Sequence, residues 1–289
     1  MTFVRIDGVP HHVRVDGTGP VCVLSAGLGL CWFDWDPVVP LLAPHRTVVR
    51  FDRPGLGLSG PARTWPTLDA EARRIAHVLD GLGLTAPVTV AGHSLAGFHA
   101  EAFARLFPAR TAGLVLLDTS VEEAPRPRAA RAARNAGTRA CATLLAAAGV
   151  PRALGVPLRR AAVRAGRLRG GDPAPYELVR SAYGTSRSLH AVLAENATYR
   201  DEAIRLDVLR RQLTLPDVPV TVLATGSGRW IDRQRALAER LDAAFHVTCR
   251  PSGHLLMLDR PEDVAEAVLT TTASEPTRSP ETPEPTEAP

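Results

Sequence analysis

The sequence contains no lysine at all, although 34 of its 289 residues are basic. Every basic side chain is therefore arginine, and because 30 acidic residues offset them the net charge is only +4. A uniform choice of arginine indicates a compositional bias of the source genome more than a recognition surface. The charge balance alone gives no reason to expect an acidic partner.

Cysteine is scarce as well. The chain has four, at Cys22, Cys31, Cys141 and Cys249, and no two of them form a C-x-x-C pair. Wide spacing of this kind argues against a zinc site and gives no disulfide framework. We therefore expect free thiols, with no bound metal and no cofactor.

No apolar run approaches the length that a bilayer-spanning helix needs. The first twenty residues also lack the apolar core of a signal peptide. These two absences predict a cytoplasmic protein that has no membrane partner. Nucleic acid is not expected either, since the arginines of the middle region are scattered and few aromatics accompany them. A small-molecule substrate is the expected partner, and the sequence does not indicate an oligomeric state.

What is present is an alternation of short apolar runs with helical patterns. The apolar runs have the character of parallel strands buried on both faces, and the helical segments repeat apolar residues every three to four positions. This order predicts an α/β fold with a mostly parallel sheet and helices on both faces. The predicted strands are 21–25, 47–51, 88–91, 114–117, 220–224 and 245–249, and the predicted helices are 68–82, 95–107, 233–241 and 262–269.

Residues 121–213 interrupt the alternation. They are rich in alanine and arginine and have no convincing strand, but they contain helix-like pieces at about 128–148, 156–169, 176–193 and 201–213. We expect a helical lid inserted into a core of residues 1–120 and 214–272, covering the strand ends. The alternative is a surface helical pair with no role at the pocket. Residues 273–289 form a tail rich in Pro, Glu and Thr, for which we expect disorder because it has too few apolar side chains to pack.

Residues 90–97 (VAGHSLAG) place Ser94 between Gly92 and Ala96, where an apolar strand must turn into a helix. Such a turn strains the backbone and admits only small residues two positions to either side. Ser94 would then be exposed at the strand end, with the amide of Leu95 and the helix N-terminus beside it. Glycine is usual where Ala96 stands, but alanine is small enough to fit.

Three further segments accompany this turn: SAGLG at 25–29, FDRPGLGLS at 51–59, and PSGH at 251–254 followed by LDRPE at 258–262. In this order the chain resembles the α/β-hydrolase superfamily over about residues 3–120 and 215–270, which leaves the lid unmatched. The resemblance implies the α/β-hydrolase fold with a nucleophile elbow. The motifs are more specific for the fold than for any one reaction.

The resemblance also implies roles for individual residues. Ser94 matches the nucleophile and His254 the general base, in the family's order of serine, acid and histidine. The backbone amides of Leu95 and Leu28 would form the oxyanion hole. Many relatives have His-Gly where this chain has Ala26-Gly27, a departure that leaves the backbone amide in place.

The acid of the triad has two candidates. Many relatives place it shortly after the strand that matches 220–224, but Arg229 occupies that slot here. Asp232 lies three residues later and is typical of an N-cap for the helix from 233. Asp118 ends the strand that follows the elbow helix, a position that some relatives use, although a strand-end aspartate can also be a turn residue. We prefer Asp118.

The sequence thus predicts a serine hydrolase that cleaves an ester-like bond of a small molecule through an acyl-enzyme. Carbon–carbon bond hydrolases, lactonases, acyltransferases and perhydrolases reuse the same residues and remain alternatives. An alternative of another class is a non-catalytic ligand-binding protein of this fold. Trp32 and Trp35 either line the acyl pocket or belong to the core.

Overall fold

A computed structural model describes residues 2–127, 129–248 and 250–271 of the chain. The tail at 273–289, for which the sequence predicts disorder, lies outside the described residues, as does Cys249.

Eight strands form one sheet in the order β1-β2-β4-β3-β5-β6-β7-β8. All neighbours pair in parallel except β1 with β2 and β2 with β4, which are antiparallel. The prediction of a mostly parallel sheet is confirmed. The strands are β1 (Thr2–Ile6), β2 (Val9–Asp16), β3 (Val21–Ser25), β4 (Thr47–Phe51), β5 (Val88–His93), β6 (Thr111–Leu117), β7 (Val220–Ala224) and β8 (Ala244–Val247).

The helices pack on both faces of this sheet, because successive strand residues point to opposite sides. In β3, Val23 joins the core cluster beneath the second and third helices, whereas Cys22 and Leu24 join the cluster beneath the first and the last. The helices are α1 (Val39–Leu42), α2 (Leu68–Gly81), α3 (Ala96–Leu106), α4 (Arg131–Ala147), α5 (Val150–Gly166), α6 (Tyr176–Tyr183), α7 (Ser186–Gln212), α8 (Arg229–Leu241), α9 (Leu256–Asp259) and α10 (Pro261–Thr270).

Two features of the core differ from the sequence prediction. The hairpin of β1 and β2 was not predicted, since His11 and His12 break the apolar pattern of β2 although both are fully buried. Helix α8 begins at Arg229, four residues earlier than predicted, after Gly228 with φ +59°. Asp232 therefore lies in the first turn of α8, and its expected role as the N-cap is wrong.

Helices α4 to α7 lie between β6 and β7, where the sequence predicts a helical block, and α7 packs against α2 and α3 of the core. The two pieces predicted at 176–193 and 201–213 are divided differently, into the short α6 and the 27-residue α7. That these helices act as a lid stays a prediction. Among the described helices no single one could cross a membrane, and only α4 and α5 together, bent by 104°, have the length and composition.

Candidate active site

The turn after β5 has the backbone of a nucleophile elbow. Ser94 has φ +53°, in the left-handed region that disfavours side chains, and its N–H donates to Leu117 O at 3.1 Å. Gly92 is required here, since a Cβ on it would lie 2.3 Å from the carbonyl oxygen of Ala96. The strained turn holds the partly exposed Ser94 at the carboxyl end of the sheet.

The turn accommodates Ala96, two residues after Ser94. Ala96 is fully buried, and the crowding falls instead on Gly97, where a Cβ would lie only 1.8 Å from Thr119 Oγ1. The departure from the usual glycine at Ala96 therefore leaves the elbow intact.

Asp118 and His254 meet beside this turn. Asp118 follows β6, is buried, and its Oδ2 lies 2.6 Å from His254 Nδ1. The His254 side chain is 43% exposed, so part of the imidazole is open to a ligand. The structure thus brings together the two residues that the sequence predicts as acid and base. Asp232 lies in the first turn of α8 and forms no hydrogen bond with the imidazole within the described part of the chain.

Two donors hold the second oxygen of Asp118. Trp230 Nε1 donates to Asp118 Oδ1 at 2.6 Å, and the backbone N–H of Thr225 donates to the same atom at 3.2 Å. Neither residue is predicted from the sequence. Trp230, the second residue of α8, follows the slot where many relatives carry the acid, so an aromatic N–H donor next to that slot was the available signal.

His93 contacts both the backbone and the ring of His254. His93 Nε2 donates to the carbonyl oxygen of His254 at 2.8 Å, and the ring centroids are 4.7 Å apart. Burial, and then the neighbouring charge of His254, lower the pKa of His93 well below its ordinary value. His93 is therefore neutral and fixes the backbone of His254 without adding a charge to the site.

The loop after β3 lies against Ser94. A Cβ on Gly27 would be 2.8 Å from His93 Nδ1 and 3.2 Å from Ser94 Cβ, so the backbone passes the serine at close range. Leu28 follows in this loop and Leu95 follows Ser94 in the chain. Each of these two residues is thus next in the chain to a residue at this close approach, and that their amides form an oxyanion hole stays a prediction.

A buried ion pair holds this loop in place. Arg53 donates to the carbonyl oxygens of Ala26 and Gly27, the second at 2.8 Å, while Glu195 of α7 accepts from the Gly29 N–H at 2.8 Å. Arg53 Nε donates to Glu195 at 2.6 Å. Burial alone would lower the pKa of Arg53, but the charge and hydrogen bonds of Glu195 raise it above its ordinary value. The Arg53 guanidinium is thus charged, and through Glu195 helix α7 holds the loop in place.

Glu195 was also missed, because nothing near it in the sequence connects it to a loop 166 residues away. The neighbouring Asp52 does not pair with Arg53. It accepts from the Trp32 N–H at 2.9 Å and contacts His12 Nδ1 at 2.9 Å, which braces the same region from the other side. Trp32 and Trp35 are both buried in the core.

A largely apolar cavity of about 300 Å³ lies between the loop and helices α5 to α7. It begins at the residues that follow Gly27, one residue from the contact with Ser94, and could hold an apolar group of a ligand. Within the described residues no group of three or more His, Cys, Asp or Glu side chains could hold a metal ion. The cavity is lined by Leu28, Gly29, Leu30, Val150, Pro151, Gly155, Leu158, Arg159, Ala162, Tyr183, Ser188, Leu189 and Val192.

Comparison with known proteins places the fold among enzymes of related architecture. A thermophilic esterase from Thermogutta terrifontis superposes with a TM-score of 0.67 at 23% identity, covering 93% of this chain and 96% of that one. The enol-lactonase from Burkholderia xenovorans LB400 gives a TM-score of 0.65 at 21% identity, covering 93% and 99%. At these identities the likeness concerns the fold.

Sequence similarity to curated proteins is confined to part of the chain. The 2-hydroxy-6-oxo-2,4-heptadienoate hydrolase of Pseudomonas putida is 32% identical over 119 residues, which is 40% of this chain and 43% of that protein. The chain spans less than half the length of the curated relatives it matches. The family pattern extends much further and matches residues 22–267. With the sheet order and the elbow described above, this match shows that the chain belongs to the Alpha/beta hydrolase family.

Proposed function

We propose that the protein is a serine hydrolase that cleaves an ester-like bond of a small molecule through a Ser94-His254-Asp118 triad. The observation that carries the proposal is the 2.6 Å contact between Asp118 Oδ2 and His254 Nδ1, beside a serine held at φ +53°. A buried carboxylate on Nδ1 of a half-exposed imidazole leaves Nε2 to accept a proton, which is what a general base requires.

In the proposed reaction Ser94 Oγ attacks the carbonyl carbon while His254 Nε2 takes the hydroxyl proton. Asp118 accepts the Nδ1–H and stabilises the imidazolium. The amides of Leu95 and Leu28 donate to the oxyanion of the tetrahedral intermediate. His254 then protonates the leaving alcohol, and the acyl group stays on Ser94. Water, deprotonated by His254, releases the acid and restores the serine.

The cavity suggests the class of substrate. Its lining is mainly apolar, and its one charged group, Arg159, is already paired with Asp34 and Asp172. A charged substrate group would find no free counter-ion there, whereas an apolar acyl or alcohol group would bury its surface. We therefore propose an uncharged ester with an apolar substituent. Action in the cytoplasm is part of the same proposal.

A second candidate is hydrolysis of a carbon–carbon bond. The partial similarity to the 2-hydroxy-6-oxo-2,4-heptadienoate hydrolase favours it. Lactonase, acyltransferase and perhydrolase reactions would also use the same triad and differ in the bond or in the acceptor. A non-catalytic binding protein would have no use for the Asp118–His254 contact beside Ser94.

The test is a substrate screen with matched variants. We expect the wild type to hydrolyse p-nitrophenyl esters of graded chain length, and Ser94→Ala to lose turnover by a factor on the order of 10⁶. A fluorophosphonate should label Ser94 and leave Ser120, whose N–H donates to Ser94 O at 3.1 Å, unlabelled. Ser120→Ala is the control and should keep both labelling and turnover.

Each outcome bears on the choice. Turnover of vinylogous diketones with none of the esters would favour the carbon–carbon reaction, and turnover of lactones alone would favour a lactonase. Near-normal esterase activity of Ser94→Ala would contradict the mechanism. No turnover and no labelling of a folded wild type would favour the non-catalytic alternative.

A further inference from the structure

Exposed apolar side chains concentrate on one part of the molecule. Among the described residues ten large hydrophobic side chains are exposed, and five of them lie between 144 and 176. The two most exposed are Leu144 on α4 and Leu158 on α5, at 71% and 59%. Soluble surfaces scatter such residues singly, so a cluster indicates an interaction surface.

The segment that leads into and through α4 and α5 carries only positive charge. Residues 124–171 contain eleven arginines and no aspartate or glutamate. Some of these arginines are neutralised by acids from elsewhere, as Arg159 is by Asp34 and Arg167 by Asp259. Arg152, Arg160 and Arg164 of α5 are exposed and form no ion pair within the part of the chain that the structure describes. No acid neutralises their charge there, although the Arg160 guanidinium lies over the exposed Tyr176 ring, 5.4 Å from its centroid.

Charged and apolar residues are ordered along the two helices, which we call the α4–α5 hairpin (Arg131–Gly166). Its tip, residues 140–151, has no charged side chain. Exposed apolar residues recur at helical spacing on each of the two helices, and on α5 the three unpaired arginines lie along one edge of the apolar stripe. The exposed apolar residues of these stripes include Ala140, Leu144, Ala147, Ala153, Leu154, Pro157, Leu158 and Ala161.

We propose that the α4–α5 hairpin docks this protein on an anionic lipid surface. An interfacial helix needs an apolar face to enter the headgroup boundary and basic side chains to meet the lipid phosphates, and the hairpin presents both. A second copy of the chain fits this face less well, because pairing it with itself would bring arginines together with no acid between them. The cytoplasmic leaflet of a cell membrane carries the required negative charge.

The expectation that the protein has no membrane partner came from the lack of a spanning helix and a signal peptide. Docking at an interface needs neither of them. The hairpin also forms one wall of the apolar cavity, through Val150, Pro151 and Leu158. Docking would place the cavity beside the lipid, from which an apolar ester could enter. This last link rests on the proposed function, whereas the docking itself does not.

The test is sedimentation of the full chain with vesicles. We expect binding to phosphatidylcholine vesicles that contain about a third phosphatidylglycerol, weak binding to pure phosphatidylcholine, and release by 0.5 M salt, because screening weakens the phosphate contacts. Leu144→Ser with Leu154→Ser should weaken binding at least tenfold. The matched control changes two exposed leucines on other surfaces, Leu41→Ser with Leu213→Ser, and should bind as the wild type does.

A second pair of variants separates docking from general charge attraction. Arg152→Gln, Arg160→Gln and Arg164→Gln together should weaken binding at least tenfold. Three exposed arginines elsewhere lower the net charge equally and should have under a threefold effect when changed to glutamine: Arg200, Arg229 and Arg240.

Equal binding to both vesicle types, no binding to either, or equal effects of the matched variants would overturn the proposal. A dimer in light scattering that Leu144→Ser with Leu154→Ser abolishes would overturn it in favour of a second copy. Thermal melts of each variant show whether it is folded. Vesicle binding is independent of turnover, so a failed hydrolase assay leaves docking standing, and a failed docking assay leaves the hydrolase standing.

Discussion

At the scale of single residues, the site depends on which oxygen of Asp118 faces which donor. Trp230 and Thr225 both donate to Oδ1, and His254 contacts Oδ2. Each of the two oxygens thus has its own donor or donors. These two donors therefore orient the carboxylate without any contribution from His254. In the contact with Asp118 Oδ2, His254 Nδ1 must carry the hydrogen, because a carboxylate oxygen only accepts.

Asp118→Asn should therefore be a severe change although it is almost isosteric. The amide oxygen will take the place of Oδ1, where Trp230 and Thr225 donate, so the amide NH₂ faces His254 Nδ1. The imidazole must then carry its hydrogen on Nε2 and is unable to accept the Ser94 proton. We expect kcat to fall at least about a hundredfold with a small change in KM, measured on the best ester of the screen.

Asp232→Asn is the matched control. Asp232 lies in the first turn of α8, where a carboxylate favours the positive end of the helix dipole, so its loss should cost at most about 1 kcal/mol of stability. Turnover should be unchanged. A large fall in kcat for Asp232→Asn with none for Asp118→Asn would refute the assignment of the acid.

At the scale of elements, β5 ends in the neutral His93, directly before Ser94. Because His93 is buried, the free energy of unfolding depends on pH. The pKa of the buried His93 is lowered, so below its ordinary value of about 6.5 the unfolded chain binds a proton that the folded chain does not. Stability is therefore full above about pH 6.5 and falls as the pH decreases, by up to about 1.4 kcal/mol per pH unit.

His93→Gln should flatten this dependence, because glutamine can donate to His254 O and does not titrate. The measurement is the midpoint of urea unfolding at pH 7.5 and 5.5. Some slope will remain, since burial also lowers the pKa of His11. His77→Gln, which changes an exposed histidine of α2, is the control and should keep the wild-type slope. Equal slopes for all three proteins would show that His93 stores no such stability.

At the scale of the whole molecule, the sequence predicted what is local. Strand ends, the small residues around Ser94 and the loop histidine at 254 are marked by their immediate neighbours, so their elements could be placed. The partners that orient them come from far away: Trp230 reaches Asp118 across 112 residues, and Glu195 reaches Gly29 across 166. No local pattern records such contacts, because packing of separate elements creates them.

The inserted helices also show that local sequence patterns do not record packing between distant segments. Alanine and arginine favour helix, so the sequence predicted helices between β6 and β7 and the start of α6 at Tyr176, but not where α5 and α7 begin. Burial of α7 against the core makes it one continuous helix and brings Val192 against the loop at Gly29, where a Cβ would lie 3.2 Å from Val192 Cγ2. The core loop at Gly29 and helix α7 of the insertion thus contact each other at the wall of the cavity.

Given the proposed hydrolase activity, Val192→Phe tests whether the contact between Val192 and the loop at Gly29 limits the acyl chain length of the substrate. The larger ring would occupy part of the cavity beside Gly29 and leave less room for methylene groups. Each buried methylene contributes about 0.8 kcal/mol, close to a fourfold effect on kcat/KM, so losing room for two predicts more than a tenfold change. We expect kcat/KM for the octanoate ester to fall at least tenfold and that for the acetate to stay within threefold.

Val247→Phe, at an exposed valine of β8, should alter neither value. Equal losses on both esters would mean that the ring disturbs the loop at Gly29 and that the cavity does not hold the acyl chain.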